Sequence, residues 1–304
     1  MSFTPLLEEF KNSLAGKAAA TTETYERELR HCLVWITERP GNGGQFHPAQ
    51  LTKTALEMYL VHLESEGHSV SHRARVKSAV GSFARWLIEE KNLLRRNPAR
   101  GLALPSQPLL APRELNDDQR YVLRTLVERQ AAPRGEALFA LGYWAGCRVS
   151  DVAWLRIDDL HIGPKIGWVR VGHKGGKRRE IDLVNAVRRP LYAYLQAGGR
   201  DPDSSYVFTS QRAARLTEAG IHYWFRALKS QASKAEWDLI HAITFHDLRH
   251  DFAHRARAAG WTLEEVAYYL GHVTRKGTPA IQTTVRYTQV SRERIKQKLK
   301  LIGG

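Results

Sequence analysis

Between Asn97 and Pro112 the chain reads NPARGLALPSQPLLAP, with four prolines and one glycine and no apolar period. Proline has no amide hydrogen to give and its ring clashes with a preceding helical turn, so no helix crosses this stretch. The chain must therefore fold as two bodies, 1–97 and 113–304, joined by a linker over 98–112. With 304 residues and 43% hydrophobic content, each body can bury a core of its own. A tether of this length lets two bodies clasp an object between them.

The first body shows apolar residues at helical spacing in four segments, Phe3 to Leu14, Thr22 to Thr37, Thr52 to Ser65 and Val70 to Glu90. They predict a small helical bundle. In the last segment Val76, Val80, Phe83 and Leu87 form one stripe, while Arg73, Arg75, Lys77 and Arg85 are assigned to other faces, where they either follow a phosphate backbone or are solvated surface cations.

What the clasped object is follows from charge. A formal net charge of +15 exceeds what solubility needs and favours a polyanion, double-stranded DNA first. No segment has the broad apolar face of an interfacial helix or the length of a membrane span. Cys32 and Cys147 are too few for a disulfide framework and lack zinc-site spacing, and the N-terminus MSFTPLLEEFKNSL has no basic-then-apolar signal. A reducing compartment is expected, the cytoplasm or its nucleoid, with no membrane partner.

In the second body, helices are expected over Asp117 to Arg129 and Arg134 to Ala145, and a short one after Ser150 as N-cap. Ile166 to Val171 and Arg178 to Val184 read as strands around a His173-Lys174-Gly175-Gly176 turn. From Val187 onward the pattern is mostly helical, which makes the fold mainly α with a small β-sheet in the C-terminal body. Thr244 with Asp247, and Thr262 with Glu265, resemble capping boxes. The first opens a helix that buries Phe245, Leu248 and Phe252 and sets His246 and Arg249 one turn apart on the same side. The second opens a helix through Val266 and Leu270 that stops at Gly271, leaving His272 just past its end.

Polar residues at the ends of elements mark a candidate site, although each has a plain alternative. His246 can cap its helix, His272 can be a surface histidine, Arg148 can pair with Asp151, Lys174 can sit at a hairpin tip and Tyr287 can be core. Their order along the chain is more telling. The segments AGCRVSDVAWLRIDDL, GHKGGKRREIDL, HDLRHDFA, YYLGH and TTVRYTQV resemble the successive signature boxes of the tyrosine recombinases, also called the phage integrase family. The resemblance covers the chain from about residue 113 to its end, and the helical first body is similar in size and class to that family's core-binding domain. Residue by residue, it implies Arg148, Lys174, His246, Arg249, His272 and Tyr287 as the catalytic set. The simple two-domain bacterial type is the one resembled, transposon resolvases or Xer-like enzymes.

The implied reaction is site-specific strand cleavage and rejoining for integration, excision or resolution, through a covalent 3′-phosphotyrosine. A phosphodiester repels nucleophiles, so the two guanidiniums of Arg148 and Arg249 would hold its non-bridging oxygens and the charge that builds there. Tyr287 would attack, His246 would assist its proton transfer and His272 would donate to phosphate or tyrosine. Lys174 would protonate the leaving 5′-hydroxyl, and Asp151 would orient or neutralise the arginines. No metal or other cofactor is implied.

One departure stands out. VTRKGTPAIQTTVR separates His272 from Tyr287, longer than the compact spacing of the family's simpler bacterial members, and this extra loop is a candidate contact for DNA or a neighbouring subunit. Tyr223, Tyr268 and Tyr269 compete as nucleophile, but the latter two lie in an apolar helical pattern and read as packing, while Thr283-Thr284 can cap a short helix carrying Tyr287. Ile295, Leu299 and Ile302 recur at helical spacing in the cationic tail. That C-terminal helix either folds back on its own body or docks on the next protomer, giving a homotetramer on two DNA sites. The alternatives are a non-catalytic DNA-binding protein of the same fold, a type IB topoisomerase-like enzyme, and a metal-dependent hydrolase built on His246, His250 and His254. The last lacks an HExxH acid and would set a cation among arginines.

Overall fold

The computed structural model describes residues 3–17, 19–105, 113–163, 165–172, 178–210, 213–272, 278, 280 and 284. Its contacts divide the chain into two compact units, Met1–Pro108 and Leu109–Gly304, so the break falls within the proline-rich run.

The first unit holds α1 (Thr4–Ser13), α2 (Ala19–Thr37), α3 (Lys53–Ser65) and α4 (Val70–Glu89). Local chemistry sets where α3 and α4 begin. The hydroxyl of Thr52 accepts from the amide of Ala55, and that of Ser69 from the amide of His72, each satisfying one of the amides a helix start leaves without a partner. The helices enclose Leu29, Leu33, Leu56, Val76, Val80 and Phe83, all fully buried. Phe83 meets Phe10 edge-to-face at 5.2 Å and stacks on Trp86 at 5.8 Å, so Phe83→Ala would cost about 3–5 kcal/mol.

Two expectations for this unit are corrected. Arg73 is 5% exposed, because positions 73, 76 and 80 share the buried stripe of α4, and its guanidinium meets Glu64 at 2.8 Å instead of facing a phosphate. Residues 98–104 are also no free tether. Leu102 is buried and Ala99 and Leu104 pack on the same core, while Asn97 donates to the carbonyl of Gly81 at 2.8 Å. The aliphatic content of LAL outweighs its helix-breaking neighbours. Arg75 and Arg85 are exposed, and Lys77 donates to the carbonyl of Leu102 at 2.5 Å. Lys77 and Arg85, with Lys53, Arg95, Arg96 and Arg100, line a groove of ≈ 1970 Å³ within this unit.

In the second unit α5 (Asp117–Gln130) starts with a reciprocal Asn116–Gln119 capping box and packs on α6 (Pro133–Tyr143), which is buried without a break from Ala137 to Tyr143. A helix apolar on every side has to run through a core, and α6 does, under α8 (Asn185–Gln196) and α11 (Phe245–Ala258). After it comes α7 (Val149–Ala153), capped at Arg148 and not at Ser150, because Asp151 reaches back to the amide of Arg148. A three-stranded antiparallel sheet follows in the order β1 (Leu160–Ile162), β2 (Gly167–Val171), β3 (Arg179–Asp182). Val169 pairs with Ile181 in the ladder, and both are buried along with Val171. On the other face Arg170 meets Glu180 at 2.7 Å. The short strand β1 escapes the sequence reading, since three residues give no period to detect.

The unit continues through α9 (Glu218–Lys229) and α10 (Lys234–Ile240) into α11 and α12 (Leu263–Leu270). Both capping boxes, Thr244–Asp247 and Thr262–Glu265, form at the starts of α11 and α12. A ring cluster joins these two helices: Phe252 stacks on Tyr269 at 5.2 Å, and Trp261 meets both edge-on. No helix among the described residues is long and apolar enough to cross a membrane.

Candidate active site

Four of the expected residues converge around the last turn of α12. Arg249, on α11, is 1% exposed. Its Nη1 donates to the carbonyl of Gly146 and its Nη2 to that of Leu270, both at 2.6 Å, and Nη2 also lies 3.0 Å from Nε2 of His272. Arg148, at the start of α7 and with about a third of its side chain exposed, reaches the carbonyl of Gly271 at 3.4 Å. Asp151 is buried beneath it: one carboxylate oxygen accepts from the Arg148 amide at 3.1 Å and lies 3.9 Å from its guanidinium.

Arg179, which sequence reasoning left unassigned, completes the arrangement. Its Nε donates to the carbonyl of Tyr269 at 2.7 Å, and its Nη2 meets the same Asp151 oxygen at 3.3 Å. Consecutive carbonyls at 269, 270 and 271 thus each take one guanidinium, from Arg179, Arg249 and Arg148 in turn. A helix leaves its last carbonyls unpaired, and its C-terminal end carries partial negative charge, so this turn is suited to gathering cations.

Two glycines make the approach possible. Gly146 holds a left-handed φ of 59°, and a Cβ there would come within 2.8 Å of the Phe252 ring. Gly271 caps α12 at φ 67°, and a Cβ there would lie 2.8 Å from the Arg179 guanidinium.

His272 is buried at 9% exposure, so it is not a surface histidine. A guanidinium can only donate, so Nε2 facing Arg249 must accept, and Nδ1 carries the proton toward Thr284 Oγ1 at 3.2 Å. Thr284 is fully buried and in turn donates to the carbonyl of Ala280 at 3.4 Å. Burial, then the cations of Arg249, Arg148 and Arg179, push the His272 pKa down to about 3, so the ring is neutral near pH 7. In this arrangement Nε2 accepts, and a donation from it to a phosphate would require the tautomer or the contact to change. His246 stands at the exposed start of α11 and packs edge-on against His250 at 4.4 Å. Partial burial of its ring, then the Arg249 guanidinium, lowers its pKa as well. It is therefore a neutral imidazole, which can accept a proton.

Burial pushes the thiol of Cys147 up to about 12, which makes it an inert packing residue. Among the described residues no group of three or more His, Cys, Asp or Glu side chains could hold a metal ion. Of the competing tyrosines, Tyr269 is half-buried in the ring cluster, but Tyr268 is 70% exposed and does not pack as its apolar context implied. Tyr223 is also exposed. Lys174, Tyr287, most of the loop between His272 and Tyr287, and Ile295, Leu299 and Ile302 lie outside the described residues.

Comparison with known proteins places the chain in a family. The family model described as the phage integrase family matches residues 115–294. "Tyrosine recombinase XerC" of Rhodospirillum centenum is 31% identical over 293 residues, covering 92% of this chain and 80% of that protein. "Tyrosine recombinase XerD" of Listeria monocytogenes is 28% identical, with 97% of each chain covered. In fold, the chain is similar to the Tn1549 transposon integrase in complex with a circular intermediate DNA, with a TM-score of 0.74 at 16% identity over 99% of each chain. It is likewise similar to the XerH site-specific recombinase bound to its difH substrate, with a TM-score of 0.70 at 16% identity over 98% of this chain and 84% of that one. This chain belongs to the phage integrase family, the tyrosine recombinases.

Proposed function

We propose that this protein is a site-specific DNA recombinase that cuts a strand with Tyr287, holds the 3′ end as a phosphotyrosine ester and rejoins it to a second 5′-hydroxyl. The observation that carries the reading is the gathering of Arg148 and Arg249, 101 positions apart in sequence (249 − 148), on adjacent carbonyls of one helix end beside His272. A scissile phosphate resting there would meet two fork-shaped donors matched to its non-bridging oxygens, fixed before the negative charge of the transition state develops.

In this mechanism the phenol of Tyr287, with an ordinary pKa near ~10, must lose its proton as it attacks. His246, neutral and at the exposed start of α11, takes it directly or through water. Lys174 protonates the departing 5′-oxygen. The ester keeps the energy of the broken bond, so a second 5′-hydroxyl reverses the chemistry without nucleotide or metal. Asp151 balances the guanidiniums, and His272, held neutral, adds no charge but fixes Arg249.

Arg75, Lys77 and Arg85 on the first unit would contact the phosphate backbone, with 1–97 and 113–304 acting as the core-binding and catalytic domains on one double-stranded site. The C-terminal helix carrying Ile295, Leu299 and Ile302 would join four protomers on two sites, in the cytoplasm where the nucleoid lies. The named relatives are recombinases, so neither a silent DNA binder nor a relaxing type IB enzyme is favoured.

The test uses nicked suicide duplexes tiled across DNA flanking the gene, scored for an SDS-resistant adduct with the native chain and with Tyr287→Phe. An adduct lost in the variant is expected. Specific binding with no adduct from either protein would overturn the reading, and an adduct that survives in the variant would move the nucleophile to another tyrosine.

A further inference from the structure

The geometry points to Arg179 as a positioning residue for the strand-cleavage step, a third arginine that sets the other two and stays away from the substrate. This inference rests on the recombinase reading above.

In the sheet Arg179 pairs with Val171 and shares the face of Ile181, so its register is one that buries apolar side chains. A guanidinium with only 12% of its side chain exposed is costly there unless every donor direction has a purpose. Its fork spans two elements that Arg148 and Arg249 also tie together, and it joins them through a pairing of its own. Toward α7 it meets Asp151, the carboxylate under Arg148, and toward α12 it meets the carbonyl of Tyr269. The backbone of Gly271 lies directly on the guanidinium, leaving no room for a methyl group. Gly271 in turn offers its carbonyl to Arg148, and the preceding carbonyl goes to Arg249. Moving Arg179 would therefore shift the Arg148 support from below, through Asp151, and from the side, through the 269–271 turn. Lysine cannot replace it, because one ammonium on a flexible stem lacks the planar fork that serves both partners at once.

The test measures the single-turnover rate of adduct formation at saturating protein for the native chain, Arg179→Lys and Arg179→Met, together with their melting curves and their binding of the same duplex. Each rate is taken on a natural phosphodiester and on a duplex with a neutral methylphosphonate at the scissile position. Tyr287 displaces the same 5′-hydroxyl from either, but the second lacks the anionic oxygen that a correctly placed Arg148 holds. Binding equal to that of the native chain is expected, with a rate on the phosphodiester lower by about a hundredfold, the cost of misplacing a charge-holding group by an ångström. The deficit should be smaller on the methylphosphonate. Arg179→Lys, which keeps a cation beside Asp151, decides the matter if Arg179→Met does not fold. Native rates in the variants, or an equal deficit on both substrates, would overturn the inference while leaving the recombinase reading intact. Failure of both variants to fold would also overturn it, since Arg179 would then hold the fold and not the chemistry. A native chain that forms no adduct on any duplex would overturn the recombinase reading, and this inference with it.

Discussion

Arg148 and Arg249 are assigned one chemical role, yet the structure predicts that their removal has unequal structural consequences. Arg249→Ala takes the donor from two carbonyls and from His272 Nε2 in a space that is 1% accessible. Each hydrogen bond from a charged group contributes about 1.5–3 kcal/mol, and part of that is returned by no longer burying a cation, so a net loss of about 3–5 kcal/mol follows. Among the described residues, Arg148→Ala removes a bond of 3.4 Å to the Gly271 carbonyl and an ion pair of 3.9 Å with Asp151 from a side chain with about a third of its surface exposed, and keeps the Asp151 bond to its backbone amide. The loss there is about 0–1 kcal/mol. At about 2–4 °C per kcal/mol for a body of this size, and a difference of about 2–5 kcal/mol, Arg249→Ala should melt about 4–20 °C lower than Arg148→Ala. Thermal and urea unfolding followed by tryptophan fluorescence, beside the adduct assay, separates the two quantities: both variants lose the adduct, and only one loses stability. Equal melting temperatures, or a lower one for Arg148→Ala, would refute the view that the main-chain anchoring of Arg249 supports the fold.

Three further outcomes are expected. His272 binds its proton far below the 6.5 of a free imidazole, so between pH 6.5 and about 3 the unfolded chain carries the extra proton, and its contribution to stability is full above this window and falls as pH drops through it; that contribution is about 1.4 kcal/mol per pH unit, and His272→Gln should lower the pH slope by that share in urea titrations at pH 7 and pH 5, leaving the share of His250, whose pKa is lowered to about 4. Asp251, fully buried, accepts from Arg120 and Arg255, each at 2.8 Å, and from the amide of Leu115, so Asp251→Ala should cost about 3–5 kcal/mol in urea titration, since it leaves two arginines without their buried partner. Arg85→Ala should lower the slope of log affinity against log salt by about one phosphate contact, whereas Arg73→Ala, whose guanidinium is committed to Glu64, should leave that slope unchanged in filter-binding titrations.

The parts legible in the sequence are those whose causes are local. Thr244 with Asp247, Thr262 with Glu265, and Gly271 are pairs or single residues whose partners lie within one turn, and the structure forms each of those caps. Charge alone marks Arg73 as surface, but its position extends the buried stripe of α4. An apolar run marks Tyr268 as packed, but neighbours in sequence are not neighbours in space when a helix has an open side. Arg179 had no readable signal. Its partners Asp151 and Tyr269 are 28 and 90 residues away, and the one clue, a charge in the inward register of a strand, needs the register first. The pairing of His272 with Thr284 was hidden in the same way, behind a helical cap that Thr284 also fits.

Cations that meet at α12 rest on main-chain oxygens, and no amino-acid replacement deletes a main-chain oxygen. The side chains on the open side of α12 can therefore drift over generations while the three arginines keep their anchors, provided the left-handed kink at Gly271 survives. Inherited variation should accordingly be tolerated at Tyr268, whose ring faces solvent, and purged at Gly271, two positions about one helical turn apart with opposite evolutionary freedoms.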